Sequence, residues 1–184
     1  MFGICVRGAS RVEEVHDRLL DIPAEVVPGR HGRSSFAFLM GPVSGYYLAA
    51  PGEPSVYLTS DSVWSASVED AIESLRPDVI VAPAGAANFG KGPDILFPLD
   101  ETIELVRRAP GQVILNHLEA VDHCPVTREG LAARLRSEDL LDKAWIPQDG
   151  ETREYGAPEA PPRPPRRTTR RRPGPQKWLT QLMA

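Results

Sequence analysis

Residues 75–89 read LRPDVIVAPAGAANF and contain the strand signal that decides the fold class. The residues from Val79 to Ala84 are all apolar, a pattern typical of a strand in a sheet that is covered on both faces. Pro77 lies just before this run and ends the helical pattern that precedes it. A strand of this kind between helices indicates a layered α/β domain.

Further strand and helix patterns alternate on both sides of this stretch. Strands are predicted at residues 2–6, 24–28, 45–50, 54–60, 111–117, 143–147 and 151–155, and helices at residues 10–20, 67–75, 98–110 and 127–141. Ser10 with Glu13, and Ser67 with Asp70, have the spacing of helix-capping pairs, and Thr127 is placed to open the last helix. Pro51 and Gly52 predict a hairpin between the third and fourth of these strands.

The composition is that of a globular protein. The chain has 184 residues, enough for one ordinary domain, with 41% hydrophobic and 25% charged residues. No apolar run approaches the ~20 residues of a membrane helix, and the N-terminus lacks the pattern of a signal peptide. Cys5 and Cys124 form no CxxC pair, which favours reduced thiols and a cytoplasmic location without membrane association.

The charge is distributed unevenly. From Gly156 onward the chain has seven of its 21 Lys and Arg residues and one of its 25 acids. This stretch is rich in Pro and Arg without apolar periodicity, which predicts a disordered tail over residues 156–184 after a domain over residues 1–155. Such a tail could attract nucleic acid electrostatically, but no aromatic residues alternate with its arginines, so a solvated tail is the favoured interpretation.

Three predicted strands end on side chains that can bind a metal. His31 follows AEVVPGR, Asp61 follows PSVYLTS, and His117 ends GQVILNH. Two imidazoles and a carboxylate at strand ends form a plausible metal half-site for zinc, iron or manganese. Taken singly, each residue is also compatible with a surface position or a turn.

The order of these segments resembles a known family. SDSVW, a helix, LRPDVIVAPAGAANF, a second helix and VILNHLEAVDHC look like the C-terminal half of a metallo-β-lactamase-superfamily hydrolase, and VVPGRHG before MGPVSGYYL extends the likeness toward the N-terminus. The resemblance covers residues 24–155. It implies the C-terminal portion of an αββα sandwich, in which two αβ halves pack face to face and bind one or two metal ions.

The resemblance also implies roles for particular residues. His31 matches the metal histidine of the third family motif, Asp61 the aspartate that bridges two metals, and His117 the last metal histidine. Zinc is the expected metal, and a metal-polarised water would attack a small-molecule ester, lactone, amide or phosphoester. Ser60 is expected to orient Asp61 from the second shell or to end the strand.

The loop after His117 contains two further candidates. Glu119 is expected either to contact a ligand histidine from the second shell or to cap the loop that enters the next helix. His123 is a candidate acid or substrate contact, with a loop-lining role as the alternative. Cys124 has no assured base partner besides His123, which leaves a thiol nucleophile as a remote alternative.

One departure from the family pattern concerns its main metal-binding motif. The family's HxHxDH signature is absent from this sequence, whose only other histidine is His16. We therefore expect an N-terminally incomplete, truncated domain in which His31, Asp61 and His117 are an incomplete set of metal ligands. The alternative function is a catalytically inactive remnant or binding module, which could dimerise through an exposed sheet face. Nucleic-acid binding through the basic tail ranks third.

Overall fold

The computed structural model describes residues 18–19, 22–33, 40–90, 92 and 94–166. Within these residues, seven strands form one sheet whose strand order follows the sequence. The strands are β1 (Arg18–Leu19), β2 (Ile22–Gly29), β3 (Val43–Leu48), β4 (Val56–Leu58), β5 (Val79–Pro83), β6 (Gln112–Asn116) and β7 (Ala144–Trp145). The helices are α1 (Ala66–Leu75), α2 (Leu99–Arg108) and α3 (Arg128–Ser137), with a short 3-10 helix at Leu141–Lys143.

The first half of the sheet is antiparallel. β2 pairs with β3, and β3 pairs with β4 through the predicted hairpin, in which Tyr47 lies opposite Tyr57. Gly52 in the connecting turn has φ 81, a left-handed conformation that glycine adopts without a steric penalty. The hairpin prediction is confirmed.

The second half of the sheet is parallel, and a helix follows each of its first three strands. β4, β5, β6 and β7 pair in that order, with α1, α2 and α3 in the three connections. Four of the five residues of β5 are buried, as predicted for a strand covered on both faces. Residues from the strands and from all three helices share one hydrophobic core. The layered α/β fold class is confirmed.

Side-chain caps set the starts of α1 and α3, whereas α2 begins after Pro98 without a side-chain cap. Thr127 opens α3 as predicted, because its hydroxyl accepts a hydrogen bond from the Gly130 N–H at 3.1 Å. For α1 the predicted cap is wrong by two residues, since Ser65 accepts from the Val68 N–H at 3.4 Å and Ser67 lies inside the first turn. Both serines have suitable chemistry, so the sequence pattern alone did not separate them.

Two further element predictions are wrong. Residues 18–19, placed in a helix by the pattern of residues 10–20, form the short strand β1 and pair with the start of β2. Residues 151–155, predicted as a closing strand, have no regular secondary structure. The other residues of the predicted first helix, and the predicted strand at residues 2–6, lie outside the described residues.

Part of the Pro/Arg-rich segment lies against the domain. Residues 156–166 are described, and the side chains of Arg163 and Arg166 contact α1 and β2. The division at residue 155 and the disorder of residues 156–184 stay predictions. Among the described residues, the structure has no helix that is both long enough and apolar enough to cross a membrane.

Candidate metal centre

Three candidate ligands follow strands that point to the same edge of the sheet. β2 and β4 both run antiparallel to β3, and β4, β5 and β6 are parallel, so β2, β4 and β6 share one direction. His31 comes just after β2, Asp61 after β4 and His117 directly after β6. The carboxyl ends of like-directed strands therefore bring these side chains to one edge.

The electrostatics of His31 depend on the other two side chains. Burial lowers the pKa of the His31 imidazole, the negative charge of Asp61 opposes this shift, and His117 adds to it. His31 therefore lies within electrostatic reach of both Asp61 and His117. A lowered pKa keeps His31 neutral at pH 7, and the neutral imidazole is the form that binds metals.

A buried serine ties the His31 loop to the Asp61 loop. The hydroxyl of Ser62 accepts a hydrogen bond from the Arg30 N–H at 3.1 Å, and the Val63 N–H donates to the Arg30 carbonyl at 2.9 Å. Ser62 is 0% exposed, so water cannot replace the hydroxyl without a rearrangement. These bonds connect the residue before His31 to the residue after Asp61.

His117 is held by a cysteine. The sulfur of Cys124 lies 3.4 Å from His117 Nδ1. If Nδ1–H donates to the sulfur, the Nε2 lone pair stays available for a metal, the arrangement in which a neighbouring acceptor fixes the tautomer. Burial and the charge of Asp61 raise the pKa of Cys124. The thiol therefore stays protonated, which disfavours the nucleophile alternative.

Gly85 allows close contact between the loops after β5 and β6. The Ala84 N–H donates to the Asn116 carbonyl at 2.9 Å, and the Val126 N–H donates to the Gly85 carbonyl at 3.3 Å. A Cβ atom on Gly85 would lie 2.4 Å from the His117 carbonyl oxygen and 2.8 Å from the Cys124 sulfur. Glycine is therefore required where the His117 loop packs against the end of β5.

Left-handed backbone conformations cluster around this edge. Ser60 (φ 55), Ala86 (φ 50), His117 (φ 57) and Glu119 (φ 58) all have positive φ values although none is glycine. Such residues are uncommon and concentrate at functional sites, where the surrounding structure holds them in place. The cluster supports a functional role for this edge of the sheet.

Glu119 and Ser60, two further predicted site residues, also make hydrogen bonds in the structure. The carboxylate of Glu119 accepts hydrogen bonds from the Arg128 N–H at 2.9 Å and from Arg128 Nη1 at 2.6 Å, which lower its pKa, so it caps the start of α3. This contact corresponds to the loop-capping alternative. Ser60 lies between β4 and Asp61, and its carbonyl accepts a hydrogen bond from the Thr59 hydroxyl at 3.1 Å. Its predicted role in orienting Asp61 stays a prediction.

His123 lies beside an exposed aromatic ring. Its ring centroid is 5.7 Å from that of Phe89, a residue that is 59% exposed. The Asn88 N–H donates to the His123 carbonyl at 2.9 Å, which joins the two loops. His123 and Phe89 together present a partly apolar surface next to the loop that contains His117.

The fit of a metal to these residues is incomplete. Neutral imidazole and carboxylate are suitable donors for a divalent metal. Within the part of the chain that the structure describes, however, no three His, Cys, Asp or Glu side chains are grouped so that they could hold a metal ion. The ligand roles of His31, Asp61 and His117 stay predictions.

Comparison with solved structures identifies the class of protein. An isothiocyanate hydrolase from Delia radicum gut bacteria superposes with a TM-score of 0.68 at 24% sequence identity, over 74% of this chain and 56% of that one. A possible metal-dependent hydrolase from Veillonella parvula DSM 2008 gives 0.67 at 27% identity, over 73% and 54%. The resemblance predicted from the sequence is confirmed: the chain has the metallo-β-lactamase fold.

The sequence comparison gives a named relative. The UPF0173 protein YddR of Bacillus subtilis (strain 168) is 29% identical over 149 residues, which are 79% of this chain and 59% of that protein. No family model matches the chain. The chain thus spans a little over half the length of the relatives it matches.

The contact made by Ser62 leads to a stability prediction. Ser62→Ala should lower the free energy of unfolding by about 1–2 kcal/mol, because the Arg30 N–H loses its bond to the buried Ser62 hydroxyl. Ser67→Ala is the matched control and should change it by less than about 0.5 kcal/mol, since Ser67 is not the cap of α1. Urea unfolding of the three proteins measures both values. Equal losses in the two variants would contradict the role given to Ser62.

Proposed function

We propose that this chain forms part of a metal-dependent hydrolase and supplies the donors His31, Asp61 and His117. The observation that supports it is that these three groups follow strands which end at one edge of the sheet, where burial lowers the pKa of His31. Both structural neighbours are described as hydrolases, and one of them as a possible metal-dependent hydrolase, which agrees with this assignment. Three donors do not complete a two-metal site, so further ligands have to come from other residues.

Zinc is the proposed metal, because two imidazoles and a carboxylate match its ligand preferences. When bound, such an ion polarises a carbonyl or phosphoryl oxygen and supplies a nucleophile at neutral pH. The residues of this chain contribute the orientation of the donors. Cys124 holds the His117 ring, and Ser62 fixes the loop of His31 to that of Asp61.

The proposed substrate is a small electrophilic molecule such as an ester, lactone, amide or phosphoester. The partly apolar surface of Phe89 and His123 supports this, because aromatic side chains commonly line small-molecule sites. We add isothiocyanates to the proposed substrates, because one structural neighbour is described as an isothiocyanate hydrolase. His123 is the proposed substrate contact or acid. A cytoplasmic location and a homodimer complete the proposal.

Removal and return of the metal test this function. The purified chain is treated with a chelator, dialysed, and assayed against the four substrate classes and an isothiocyanate, before and after addition of Zn²⁺ or Mn²⁺. We expect no turnover of at least one substrate without metal and its recovery with metal. Turnover that survives the chelator, or a folded protein that shows none with bound metal, would contradict the proposal.

A further inference from the structure

The Pro/Arg-rich segment is seated in an acidic groove on the domain. We define the arginine groove as Glu25 on β2, Tyr47 on β3, and Asp70 and Ser74 on α1. Glu25 and Tyr47 lie directly opposite each other in the sheet and are both buried. α1 contacts β2 at this place, so the groove is formed where the helix meets the antiparallel part of the sheet.

Arg166 makes the central contacts of the arginine groove. Its N–H donates to Glu25 Oε2 at 2.6 Å, and its Nε and Nη2 donate to Glu25 Oε1 at 2.9 and 2.7 Å. Its Nη1 also donates to Asp70 at 2.6 Å. One arginine therefore satisfies both oxygens of Glu25 and joins β2 to α1.

Arg163, which precedes Arg166 in the chain, makes a second set of contacts with the arginine groove. Its carbonyl accepts a hydrogen bond from the Tyr47 hydroxyl at 2.7 Å, and its Nη1 donates to the Ser74 carbonyl at 2.5 Å. Both main-chain and side-chain groups of the segment are thus recognised. The contact differs from a surface ion pair, because backbone and guanidinium donors converge on a carboxylate that is 3% exposed.

Glu25 needs a partner for a simple electrostatic reason. A carboxylate inside a domain loses its hydration, and this loss is offset only where charged donors and hydrogen bonds surround it. Arg166 is the cation that the structure places on Glu25, and the contact raises the pKa of Arg166. With the segment in place Glu25 is 3% exposed, so loss of the guanidinium alone would leave this carboxylate without its cation.

We propose that the arginine groove is a recognition site for an arginine-bearing extended peptide, and that its resident ligand is the segment of residues 156–166 of the same chain. Arg166 docked on Glu25 holds β2 against α1. The segment thereby holds β2 and α1 together. Two of its basic side chains, Arg163 and Arg166, bind the domain instead of nucleic acid.

A double-mutant cycle in the full chain tests this proposal by thermal unfolding. Arg166→Ala should lower Tm by about 5 °C, because Glu25 loses its cation and the side-chain hydrogen bonds to Glu25 and Asp70 are lost. Glu25→Gln should lower Tm in the wild-type background but raise it in the Arg166→Ala background, where a neutral amide removes the unbalanced charge. Arg136→Ala, an exposed arginine on α3, is the control and should leave Tm unchanged. The same effect of Glu25→Gln in both backgrounds would overturn the proposal.

Hydrogen exchange gives a readout that does not depend on global stability. The Arg166 N–H should exchange at least ~10-fold more slowly than in the Glu25→Gln variant under conditions where both proteins are folded. The protection should be independent of protein concentration, because the ligand belongs to the same chain. Unchanged exchange in the variant would overturn the docking. Protection that disappears on dilution would show that the groove binds residues 156–166 of a second copy, and would overturn binding within the same chain.

Discussion

Gly85→Ala should lower the free energy of unfolding by about 2–3 kcal/mol and displace the loop that contains His117. The added Cβ would meet the His117 carbonyl oxygen at 2.4 Å and both the Cβ and sulfur of Cys124 at 2.8 Å. The first of these contacts is with backbone, so the loop has to shift, and overpacking of this kind costs about 1–3 kcal/mol. Urea unfolding measures the loss.

The control for this substitution is Gly92→Ala. A Cβ on Gly92 meets nothing within 4 Å, so the same chemical change should alter the free energy of unfolding by less than about 0.5 kcal/mol. A Gly85 variant as stable as the Gly92 variant would show that the close approach of the two loops is wrong. The candidate site would then lose the contact that positions His117.

Asp61→Asn should weaken zinc binding at least ~100-fold. The change keeps the shape of the side chain and removes the negative charge that acts on both His31 and Cys124. Loss of a residue that only hydrogen-bonds to a metal ligand already lowers metal affinity about 10–100-fold, so loss of a charged ligand should lower it further. Titration with Zn²⁺ in competition with a chromophoric chelator measures the affinity.

Asp122→Asn is the matched control, because the Asp122 side chain is fully exposed in the loop next to His123. It makes the same change of charge in the same protein and should leave the zinc affinity within about twofold of wild type. An equal loss in both variants would indicate a diffuse effect of net charge. No loss in either variant would remove Asp61 from the ligand set.

The sheet was predictable because its signals are local. Apolar runs and turn residues define β2 to β6 within short windows, and the carboxyl ends of like-directed strands then place His31, Asp61 and His117 at one edge. The helical pattern of residues 10–20 failed for β1, where pairing with β2 overrides a local preference. Residues 151–155 failed for the converse reason, because a strand needs a neighbour with which to pair.

The supporting contacts of the site were less visible. Ser60 and Ser62 flank Asp61 with the same chemistry, and the buried hydroxyl that bonds to the Arg30 loop belongs to Ser62. The contact of Cys124 with His117 joins side chains seven residues apart, and His117 has a left-handed backbone conformation that a histidine does not signal in a sequence. The positive φ values became informative only with the structure.

The arginine groove could not be predicted from the sequence either. Glu25 and Arg166 are 141 residues apart, and the segment that contains Arg166 has the composition of a disordered tail. An acid within the strand pattern of β2 was a usable signal, because a buried carboxylate requires a cation or several donors. The sequence did not indicate which of the basic residues would supply it.

We expect the imidazoles of His31 and His117 to lie with the carboxylate of Asp61 at one metal position or at two adjacent ones. Long-range ¹H–¹⁵N NMR spectra of the histidine rings during a Zn²⁺ titration measure which imidazoles bind. The ring nitrogens of both His31 and His117 should shift as Zn²⁺ is added, with one midpoint for a shared ion or two for adjacent ions. A shift of only one of these two rings, or of neither, would remove the shared site.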